Sequence, residues 1–560
     1  MWIVLALAAE AAVPRIVGTP VVDNPSFDGV ANTMMYTVTV TVNGTASDAD
    51  HAAMVGFAPE DDYVGCSSTT PWKWSHAETF DTTATRSWTL YNFLPGTKYY
   101  YQVRLGSGAT TRSRCGVLET TAAPTPTIPA ELGYLDIRYT KSGDPFDTKY
   151  LLVETDDCGG SGSMRGSDYL VVLDPVNEAI VWYLDVAASG GLVDGSAITG
   201  FRYYRGATAA EDTILSTVEH RYVYEWGFDG TTQNSYDFGN AACDGAGAEG
   251  PCLHHDLAKS TLTGNTYVLG GTLSTTDSTG TVWEDACGTD ARFVDDGYHV
   301  LDDTFTETGE NYMMADAGYD PVVYPGPDGA RSAAHPSACS SDVWDRLLDA
   351  PDGLIDWIHV NSVVPWTVGS DEVVDVSLKE WNQVVRFDEA TGALLWRLSA
   401  RRADSDWGTL SLASGVSGVA TFSDQHDVHA VGDNTLLMLD NQGDSTGARA
   451  LQIRLNSRPR SAVIEKSWAV VSGTGAKLRC STEGTAELVP NSDHAFVMCA
   501  GITVAVELDD PTGNSGDPPP LTISLPDGDP DEFCAVGGPD ARSMISGWKR
   551  AFPIERIGEF

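Results

Sequence analysis

Apolar and polar residues alternate along the chain in two blocks, and in both the alternation predicts β-strands. In the first block it is clearest at residues 34–42, where one face carries Tyr36, Val38, Val40 and Val42. This pattern is typical of a half-buried strand, because successive side chains point to opposite faces. From about residue 130 onward, short apolar runs alternate with tight turns, and long helical patterns are few. We therefore expect an all-β fold.

The second block repeats one hairpin. Residues 171–182 align without gaps with residues 385–396, and in each copy an aspartate opens the turn and a tryptophan closes the next strand. Residues 222–230 are a weaker copy. Repeated hairpins over roughly 430 residues are typical of a β-propeller, here of about six blades.

The first block predicts a separate domain. Residues 14–122 are interpreted as a small β-sandwich, and the sequence Leu-Pro-Gly-Thr-x-Tyr-x-Tyr at 94–101 resembles the tyrosine-corner strand of fibronectin type III domains. The proline-rich residues 123–130 are predicted to form a stiff linker. Residues 131–560 are then predicted to form the propeller.

The net charge limits the partners that the protein can bind. The chain has 34 Lys and Arg against 78 Asp and Glu, a formal net charge of −44. Such a surface repels nucleic acid and anionic membranes, so we expect neither as a partner. An anionic substrate would need a local basic pocket. No apolar run of about 20 residues occurs, so no membrane span is expected.

Two features favour a secreted or periplasmic protein. Residues 1–13 have an apolar stretch followed by small residues, as in a secretory signal, although the stretch is short and lacks a basic start. Ten cysteines, an even number, favour an oxidising compartment. No CxxC motif occurs, which argues against a cysteine metal site. The spacing suggests the pairs Cys66–Cys115, Cys243–Cys252, Cys287–Cys339 and Cys480–Cys499, with Cys158 and Cys534 left for a longer-range pair.

Three histidines recur in one local setting, each before a turn and a β-rich run. They are His255 in 253–257, His359 in 358–362 and His426 in 424–428. One histidine at one position of a repeated β unit predicts a radial fold that directs all three at a common axis. Converging imidazoles can bind an anion, bind a metal or attack an electrophile.

Motifs around these histidines follow one another in a fixed order. They are His-x-Asn-Ser at 359–362, Thr-Gly-x-x-x-Trp-Arg-Leu at 391–398, and Gln-His at 425–426 followed by Asp-Asn at 440–441. In this order and spacing, over most of residues 130–510, the chain resembles the bacterial aryl-sulfate sulfotransferases.

The resemblance implies a six-bladed propeller, a small N-terminal β domain and a periplasmic location. It implies transfer of a sulfuryl group from a phenolic sulfate ester to a phenol acceptor without phosphoadenosine phosphosulfate, so no cofactor is expected. His426 would be the transiently sulfated nucleophile, and His359 with Asn361 would belong to the same site. Of His254 and His255, we favour His255 as the inward-facing residue, because it matches the other two in the repeat.

The resemblance also assigns roles to the site. Protonated His255 or His359 would donate to the leaving oxygen, and Asn361 would orient the sulfuryl group. The family usually has an arginine where this chain has Lys379, which keeps the charge but loses the planar pair of donors. His254 and Thr485 are further candidates for substrate binding.

Alternatives remain at this point. One is a catalytically silent propeller that binds a ligand, for which Lys379 is the main argument. Another is a metal site on His255, His359 and His426, since three histidines suit zinc. The sequence leaves open the natural donor and acceptor, the role of the sandwich and whether the protein is a homodimer.

Overall fold

The computed structural model describes the chain between residues 15 and 555, with gaps. The predicted signal segment 1–13 and linker 123–130 lie outside the described residues and stay predictions. Within the described part, no helix is long and apolar enough to cross a membrane. Apart from gaps of three residues or fewer, the stretches that are not described are 1–14, 44–52, 76–83, 106–110, 120–136, 156–168, 193–197, 207–210, 240–250, 285–290, 320–353, 401–404, 442–446, 513–516, 525–549 and 556–560.

The described strands of residues 15–119 form two sheets around one core, with a separate pair of short strands. A 3₁₀ helix, Glu60–Asp62, follows the fifth strand. The strands are β1 (Arg15–Asp23), β2 (Ser26–Phe27), β3 (Val30–Ala31), β4 (Tyr36–Asn43), β5 (Ala53–Pro59), β6 (Lys73–Trp74), β7 (Ala84–Leu90), β8 (Lys98–Leu105), β9 (Thr111–Arg112) and β10 (Gly116–Glu119).

One of these two sheets has the order β1–β4–β7, and the other has β10–β8–β5–β6, with β9 also paired to β8. The alternation predicted for β4 is confirmed, since Val38 and Val40 are 0% and 1% exposed. The Tyr99 hydroxyl accepts a hydrogen bond from the Leu94 amide at 3.0 Å, a contact typical of a tyrosine corner. The fibronectin likeness itself stays a prediction.

Residues 138–555 form six further sheets of four or five strands. A short helix, α1 (Val186–Gly190), follows the fourth of their strands. The strands up to residue 313 are β11 (Arg138–Lys141), β12 (Tyr150–Thr155), β13 (Tyr169–Asp174), β14 (Ala179–Asp185), β15 (Ile198–Tyr204), β16 (Thr213–Val218), β17 (Tyr222–Gly227), β18 (Thr232–Asp237), β19 (Cys252–Lys259), β20 (Thr266–Asp277), β21 (Arg292–Leu301) and β22 (Glu307–Met313).

The remaining strands are β23 (Leu354–Ile355), β24 (Val360–Val368), β25 (Asp371–Leu378), β26 (Gln383–Asp388), β27 (Leu394–Ser399), β28 (Ser411–Leu412), β29 (His426–Gly432), β30 (Thr435–Asp440), β31 (Arg449–Ser457), β32 (Arg460–Ala469), β33 (Thr485–Leu488), β34 (Ala495–Cys499), β35 (Val504–Leu508), β36 (Leu521–Ser524) and β37 (Ala551–Ile554). They pair antiparallel with their neighbours, except that β23 and β28 pair parallel with β21 and β32. The all-β prediction is therefore confirmed.

The six sheets follow one another along the chain. Sheet 1 has the order β37–β12–β13–β14, sheet 2 is β15–β18, and sheet 3 is β19–β22 with β23 beside β21. Sheet 4 is β24–β27, sheet 5 is β29–β32 with β28 beside β32, and sheet 6 is β33–β36 with β11 on its outer strand. Sheets 1 and 6 thus each contain a strand from the opposite end of this region.

The first strands of successive sheets contact one another. β15 contacts β19, β19 contacts β24, β24 contacts β29, β29 contacts β33, and β33 contacts β37. The last link returns to β15, because the rings of Phe552 in β37 and Phe201 in β15 pack edge to face at 5.2 Å. Each of these six strands therefore contacts the first strand of the next sheet.

The repeated hairpin lies at the same place in sheets 1 and 4. It joins β13 to β14 in one and β26 to β27 in the other, the third and fourth strands counted from the first strand. Asp174 and Asp388 both accept hydrogen bonds from turn amides, and Trp182 and Trp396 both lie in the fourth strand. The predicted internal repeat is confirmed.

One predicted disulfide lies wholly within the described residues. Cys480 and Cys499 are bonded, with their Cα atoms 5.0 Å apart, so this pair is confirmed. Each of the other three predicted local pairs includes a cysteine that is not described and stays a prediction.

Candidate functional site

The three recurring histidines lie near the start of the first strand of their sheets. His255 lies in β19, His359 directly precedes β24, and His426 begins β29. The φ angle is 52° at His255, 48° at His359 and 51° at Asp427, next to His426. The strand pairing shifts register at all three points. Bulges of this kind redirect side chains, here toward one another.

The three imidazoles lie close together. The ring centroids of His255 and His359 are 4.8 Å apart, and those of His255 and His426 are 6.5 Å apart with the planes tilted by 31°. The predicted convergence of the three histidines is therefore confirmed.

Hydrogen bonds select one tautomer of His426. Its Nδ1 lies 2.8 Å from Oδ1 of Asn441 and 3.0 Å from the carbonyl oxygen of Asp424. Both partners accept, so Nδ1 carries the proton and Nε2 keeps its lone pair. The Asn441 amide is fixed in turn, because its Nδ2 donates to the Glu483 carbonyl at 2.8 Å. Burial and the positive charge of Lys379 lower the pKa of His426 to about 3, so the ring is neutral at neutral pH.

His254, His255 and His359 form a row of imidazoles between two buried carboxylates. His254 bonds Asp296 through Nε2 at 2.8 Å, and its Nδ1 lies 2.7 Å from Nδ1 of His255. His255 Nε2 lies 3.3 Å from His359 Nε2, and His359 Nδ1 bonds Asp356 at 2.5 Å. Each nitrogen–nitrogen contact requires one proton, so the row can hold and pass protons between rings.

Electrostatics keep the middle of this row neutral. Burial, and then the neighbouring His359 and His254, lower the pKa of His255 well below its usual value. Burial raises the pKa of Asp356, but the charge and hydrogen bond of His359 outweigh it, so the pKa is lowered. His255 is therefore neutral, and Asp356 is a carboxylate that orients the His359 ring.

The aspartates that follow His255 and His426 join neighbouring sheets. Asp256 accepts a hydrogen bond from the Val363 amide of β24 at 3.2 Å, and Asp427 accepts one from the Ala486 amide of β33 at 3.0 Å. Each histidine is thus held by a backbone that is anchored to the next sheet.

A small pocket opens beside two of the histidines, and the space between its lining atoms, open solvent included, is about 270 Å³. Its described lining consists of Glu154, Thr199, Gly200, His255, His426, Glu483, Gly484 and Arg550. At Gly200 a Cβ atom would lie 2.3 Å from the His255 carbonyl oxygen, so only glycine fits there. The cavity places an uncharged imidazole nitrogen, a second imidazole and a guanidinium, together with Glu154 and Glu483, around one small space.

A sequence profile decides the family. The profile of the arylsulfotransferase (ASST) family matches residues 164–470, more than half of the 560 residues. The chain belongs to the arylsulfotransferase family. Membership supports aryl sulfotransferase activity in general. The matched range contains His255, His359 and His426, whereas Arg550 lies beyond it.

Other comparisons add less. No curated protein sequence matches the chain significantly. A Bacteroides caccae protein of unknown function is 12% identical, with 73% of this chain and 99% of that chain covered and a TM-score of 0.34. A periplasmic gluconolactonase of Pseudomonas aeruginosa is 11% identical, with 67% and 99% covered and a TM-score of 0.31.

Two residues of the arylsulfotransferase motifs fix the backbone at His426. Asn361, from His-x-Asn-Ser, donates through Nδ2 to the Gln425 carbonyl at 2.7 Å. Gln425 donates through Nε2 to Ser377 Oγ and to the carbonyls of Leu378 and Gln383, at 3.0 to 3.1 Å. Both side chains therefore link sheet 4 to the start of β29.

The other two predicted binding residues lie beside the cavity rather than in its described lining. Lys379 donates through its amide to the His359 carbonyl at 3.1 Å, and its Nζ lies 3.4 Å from Glu380. The Thr485 hydroxyl donates to the Ala551 carbonyl at 3.0 Å, which joins β33 to β37.

Arg550 is the cationic residue in the described lining of the cavity, and the sequence did not predict it. It is 7% exposed, and its Nη1 donates to Asp256 at 2.7 Å. It directly precedes β37, a strand that pairs with β12 some four hundred positions earlier in the chain. Local patterns do not reveal pairings of that range.

A buried ionic cluster lies next to the histidines. Arg202 bonds Asp256 at 3.2 Å and Asp427 at 2.6 Å, and His429 Nε2 lies 3.2 Å from Glu487. Burial opposes the charge on His429, but Glu487 and Asp427 raise its pKa to about 9. Burial raises the pKa of Asp427 to about 6, despite Arg202.

This cluster predicts a pH dependence of stability. Because folding raises the pKa of His429 from 6.5 to about 9, its contribution is fully present below pH 6.5 and is lost as the pH rises through 9. Glu487, whose pKa is lowered, is ionised throughout this window, and Asp427, with a pKa of about 6, completes its ionisation at the lower end of it. We expect the free energy of unfolding to fall by on the order of 2 kcal/mol between pH 6.5 and 9.

Denaturant unfolding of the wild type and of His429→Gln at pH 6.5, 7.5 and 9 measures this contribution. The variant should be less stable at pH 6.5 and should lose the extra slope. A wild type and variant with parallel pH profiles would show that His429 is not charged in the folded protein.

The structure brings potential metal ligands together at places other than the three predicted histidines. Within the described residues, two groups of three side chains bring potential ligand atoms close together, and neither contains the three predicted histidines. The groups are Asp147, His494 and Glu507, and Asp427, His429 and Glu487. The second of these already holds the cation Arg202.

Proposed function

We propose that this protein transfers a sulfuryl group from a phenolic sulfate ester to a phenolic acceptor in two steps, through a sulfo-His426 intermediate and without phosphoadenosine phosphosulfate. The observation that carries the proposal is the tautomer of His426, whose protonated Nδ1 leaves a lone pair on Nε2 in a ring that lines the cavity. A neutral imidazole nitrogen is a competent nucleophile. Membership of the arylsulfotransferase family supports this chemistry in general.

In the first step, Nε2 of His426 forms a bond to sulfur as the bond from sulfur to the phenolic oxygen breaks. Negative charge develops on the leaving oxygen, which needs a proton donor or a fixed positive charge. His255 is placed to give that proton, because it lines the same cavity and its ring centroid lies 6.5 Å from that of His426. The product is a phenol, and the sulfo-imidazole keeps its Nδ1–H on Asn441.

The row of imidazoles resupplies the proton. As His255 gives its Nε2 proton to the leaving oxygen, its Nδ1 takes one from Nδ1 of His254, 2.7 Å away. In the second step the acceptor phenol gives its proton to His255 Nε2, the proton on Nδ1 returns to His254, and the phenol oxygen takes the sulfuryl group from His426. Asp296 accepts a hydrogen bond from His254 Nε2 at one end of the row, and His359, held by Asp356, orients His255 from the other side.

The remaining predicted residues have supporting roles in this proposal. Asn361 holds the backbone of Gln425 and so positions His426, and Thr485 joins β33 to β37 beside the cavity. Lys379 contributes positive charge from a distance, which keeps His426 neutral.

The same proposal includes the fold and the location. Six sheets of consecutive antiparallel strands, whose first strands contact one another in sequence, support a six-bladed propeller with the site on its axis. The strand from the C-terminal end in sheet 1 would close that ring. The Cys480–Cys499 disulfide supports a secreted or periplasmic location. The two-sheet unit at residues 15–119 would be the fibronectin-like domain.

Replacing Asn441 by leucine is expected to lower kcat by roughly 100-fold. Without the Asn441 acceptor, the proton of His426 moves to Nε2 in part of the molecules, and Nε2 then has no lone pair for the attack. The measurement is steady-state kinetics with an aryl sulfate donor. Asn441→Asp keeps an oxygen acceptor and should lose less. Equal losses in the two variants would show that hydrogen bonding to Nδ1 does not set the activity.

The function is tested by phenol release from a chromogenic aryl sulfate, with and without an acceptor phenol. We expect release that accelerates with acceptor, one sulfated acceptor for each phenol released, and the parallel double-reciprocal lines of a two-step transfer. Release that depends on water alone would instead indicate a sulfatase.

The alternatives give different outcomes in the same preparation. Binding of aryl sulfates by calorimetry without any turnover would favour a silent binding propeller. Near-stoichiometric metal in elemental analysis, lost together with activity on chelation, would favour the histidine metal site.

A further inference from the structure

The cavity needs a cation for an anionic substrate. The chain has a net charge of −44, and both histidines of the described lining have lowered pKa values. A sulfate ester that enters would therefore meet an unfavourable field unless a fixed positive charge lies at the site. Among the described residues that line the cavity, Arg550 is the one lysine or arginine.

Lys379, which stands where the family usually has arginine, does not fill this role directly. Its ammonium lies 3.4 Å from the Glu380 carboxylate, its side chain is a quarter exposed, and it is not part of the described lining. A single ammonium also lacks the two parallel donors that match two sulfuryl oxygens.

Arg550 has the geometry that Lys379 lacks. Its guanidinium is almost fully buried, and Asp256 accepts one hydrogen bond from Nη1. A guanidinium has five N–H donors, so one contact with Asp256 orients the group and leaves other donors for a bound anion. Asp256 is shared, since it also bonds Arg202 through both carboxylate oxygens. The carboxylate thus only partly neutralises Arg550.

We propose that Arg550 binds the sulfuryl oxygens of the substrate, between His255 and His426, and so replaces the family's usual arginine from a different part of the chain. This inference rests on the proposed sulfuryl transfer and names the anion-binding residue of that site. Arg550 becomes a specificity-determining residue that selects a tetrahedral oxyanion and holds its sulfur near Nε2 of His426.

The position of Arg550 depends on the pairing of the last described strand. Ala551, its neighbour, gives and receives hydrogen bonds at the Thr485 hydroxyl, at 3.3 and 3.0 Å. β37 is also the first strand of sheet 1, paired to β12. The contacts that attach β37 therefore also place the cation in the cavity, and Thr485 acts as its positioning residue.

The test measures binding of inorganic sulfate by calorimetry and turnover of an aryl sulfate for the full chain and for Arg550→Gln, Arg550→Lys and Lys379→Gln. We expect Arg550→Gln to weaken sulfate binding at least tenfold and to lower kcat/KM by about 100-fold. Arg550→Lys should recover part of the binding but little of kcat, because the charge is kept and the paired donors are lost. Lys379→Gln should change sulfate binding by less than about threefold.

Arg386→Lys is the matched control for disturbing a buried arginine. Arg386 is 4% exposed, bonds Asp375 through two nitrogens and lies outside the described lining of the cavity. It should leave sulfate binding and turnover unchanged, and thermal unfolding of every variant confirms folding. Arg550→Lys keeps the charge beside Asp256 and serves if Arg550→Gln does not fold.

The two proposals fail in different ways. The role of Arg550 alone is overturned if the wild type turns over aryl sulfates and the Arg550 variants bind sulfate and react as the wild type does. A loss of sulfate binding in Lys379→Gln but not in Arg550→Lys would also overturn it. A wild type without transfer activity overturns the proposed function, while sulfate binding still tests Arg550.

Discussion

His426→Ala is expected to lower kcat for sulfuryl transfer by roughly 10⁴-fold or more, with little change in thermal stability. The reason is covalent: the lone pair on Nε2 forms the bond to sulfur, and no other group in the described lining has an equivalent neutral nitrogen fixed in the right tautomer. The measurement is phenol release from a chromogenic donor with acceptor present, together with thermal unfolding.

His494→Gln is the control for this variant, since His494 bonds Glu507 at 2.6 Å in sheet 6, away from the cavity, and should keep full activity. A His426→Ala protein that still transfers sulfuryl groups at a rate near that of the wild type would contradict the role of His426 as the nucleophile.

His255→Gln is expected to show the second largest effect, and the size of the loss should depend on the donor. A proton donor matters most when the leaving phenol is weakly acidic. We expect a loss of roughly 10³-fold for unsubstituted phenyl sulfate and a much smaller loss for a nitrophenyl sulfate. The measurement is kcat/KM for a series of donors plotted against the pKa of the leaving phenol, which should give a steeper slope in the variant.

His254→Gln separates the relay from the donor itself. It removes the ring that lies 2.7 Å from His255 and bonds Asp296, but it leaves His255 in the cavity. We expect kcat/KM to depend on the pKa of the leaving phenol in the same way as in His255→Gln, with a smaller loss of activity. If His255→Gln lowered the rate equally for all leaving groups, His255 would contribute to binding rather than to proton transfer.

Much of the site could be predicted from the sequence because it lies on repeated local elements. His255, His359 and His426 share one position in the strand pattern, and a repeated β unit places equivalent residues around one axis. The same holds for the hairpins that carry Trp182 and Trp396. Periodicity is a local property of the chain, so the sequence displays it directly.

The parts that the sequence did not predict depend on contacts between distant residues. Arg550 enters the cavity because β37 pairs with β12, and Asp296 meets His254 from another strand of the same sheet. Asn361 was expected to orient the substrate, whereas its amide bonds the Gln425 backbone. Hydrogen-bond partners of this kind follow from the tertiary structure rather than from spacing along the chain.

The distribution of charge gives these contacts a shared physical explanation. A strongly acidic chain concentrates two arginines, the largely buried Arg202 and the buried Arg550, beside the imidazoles and balances them with Asp256 and Asp427. Such a balance allows a local site for an anion within an acidic protein.

Mass spectrometry of peptides from the wild type, quenched after mixing with an aryl sulfate in the absence of acceptor, tests the central proposal most directly. We expect one added SO₃ group on the peptide that contains His426, assigned to that histidine by fragmentation and lost when an acceptor phenol is added before the quench. An enzyme that turns over but carries the group on another residue, or never carries it, would contradict the sulfo-His426 intermediate.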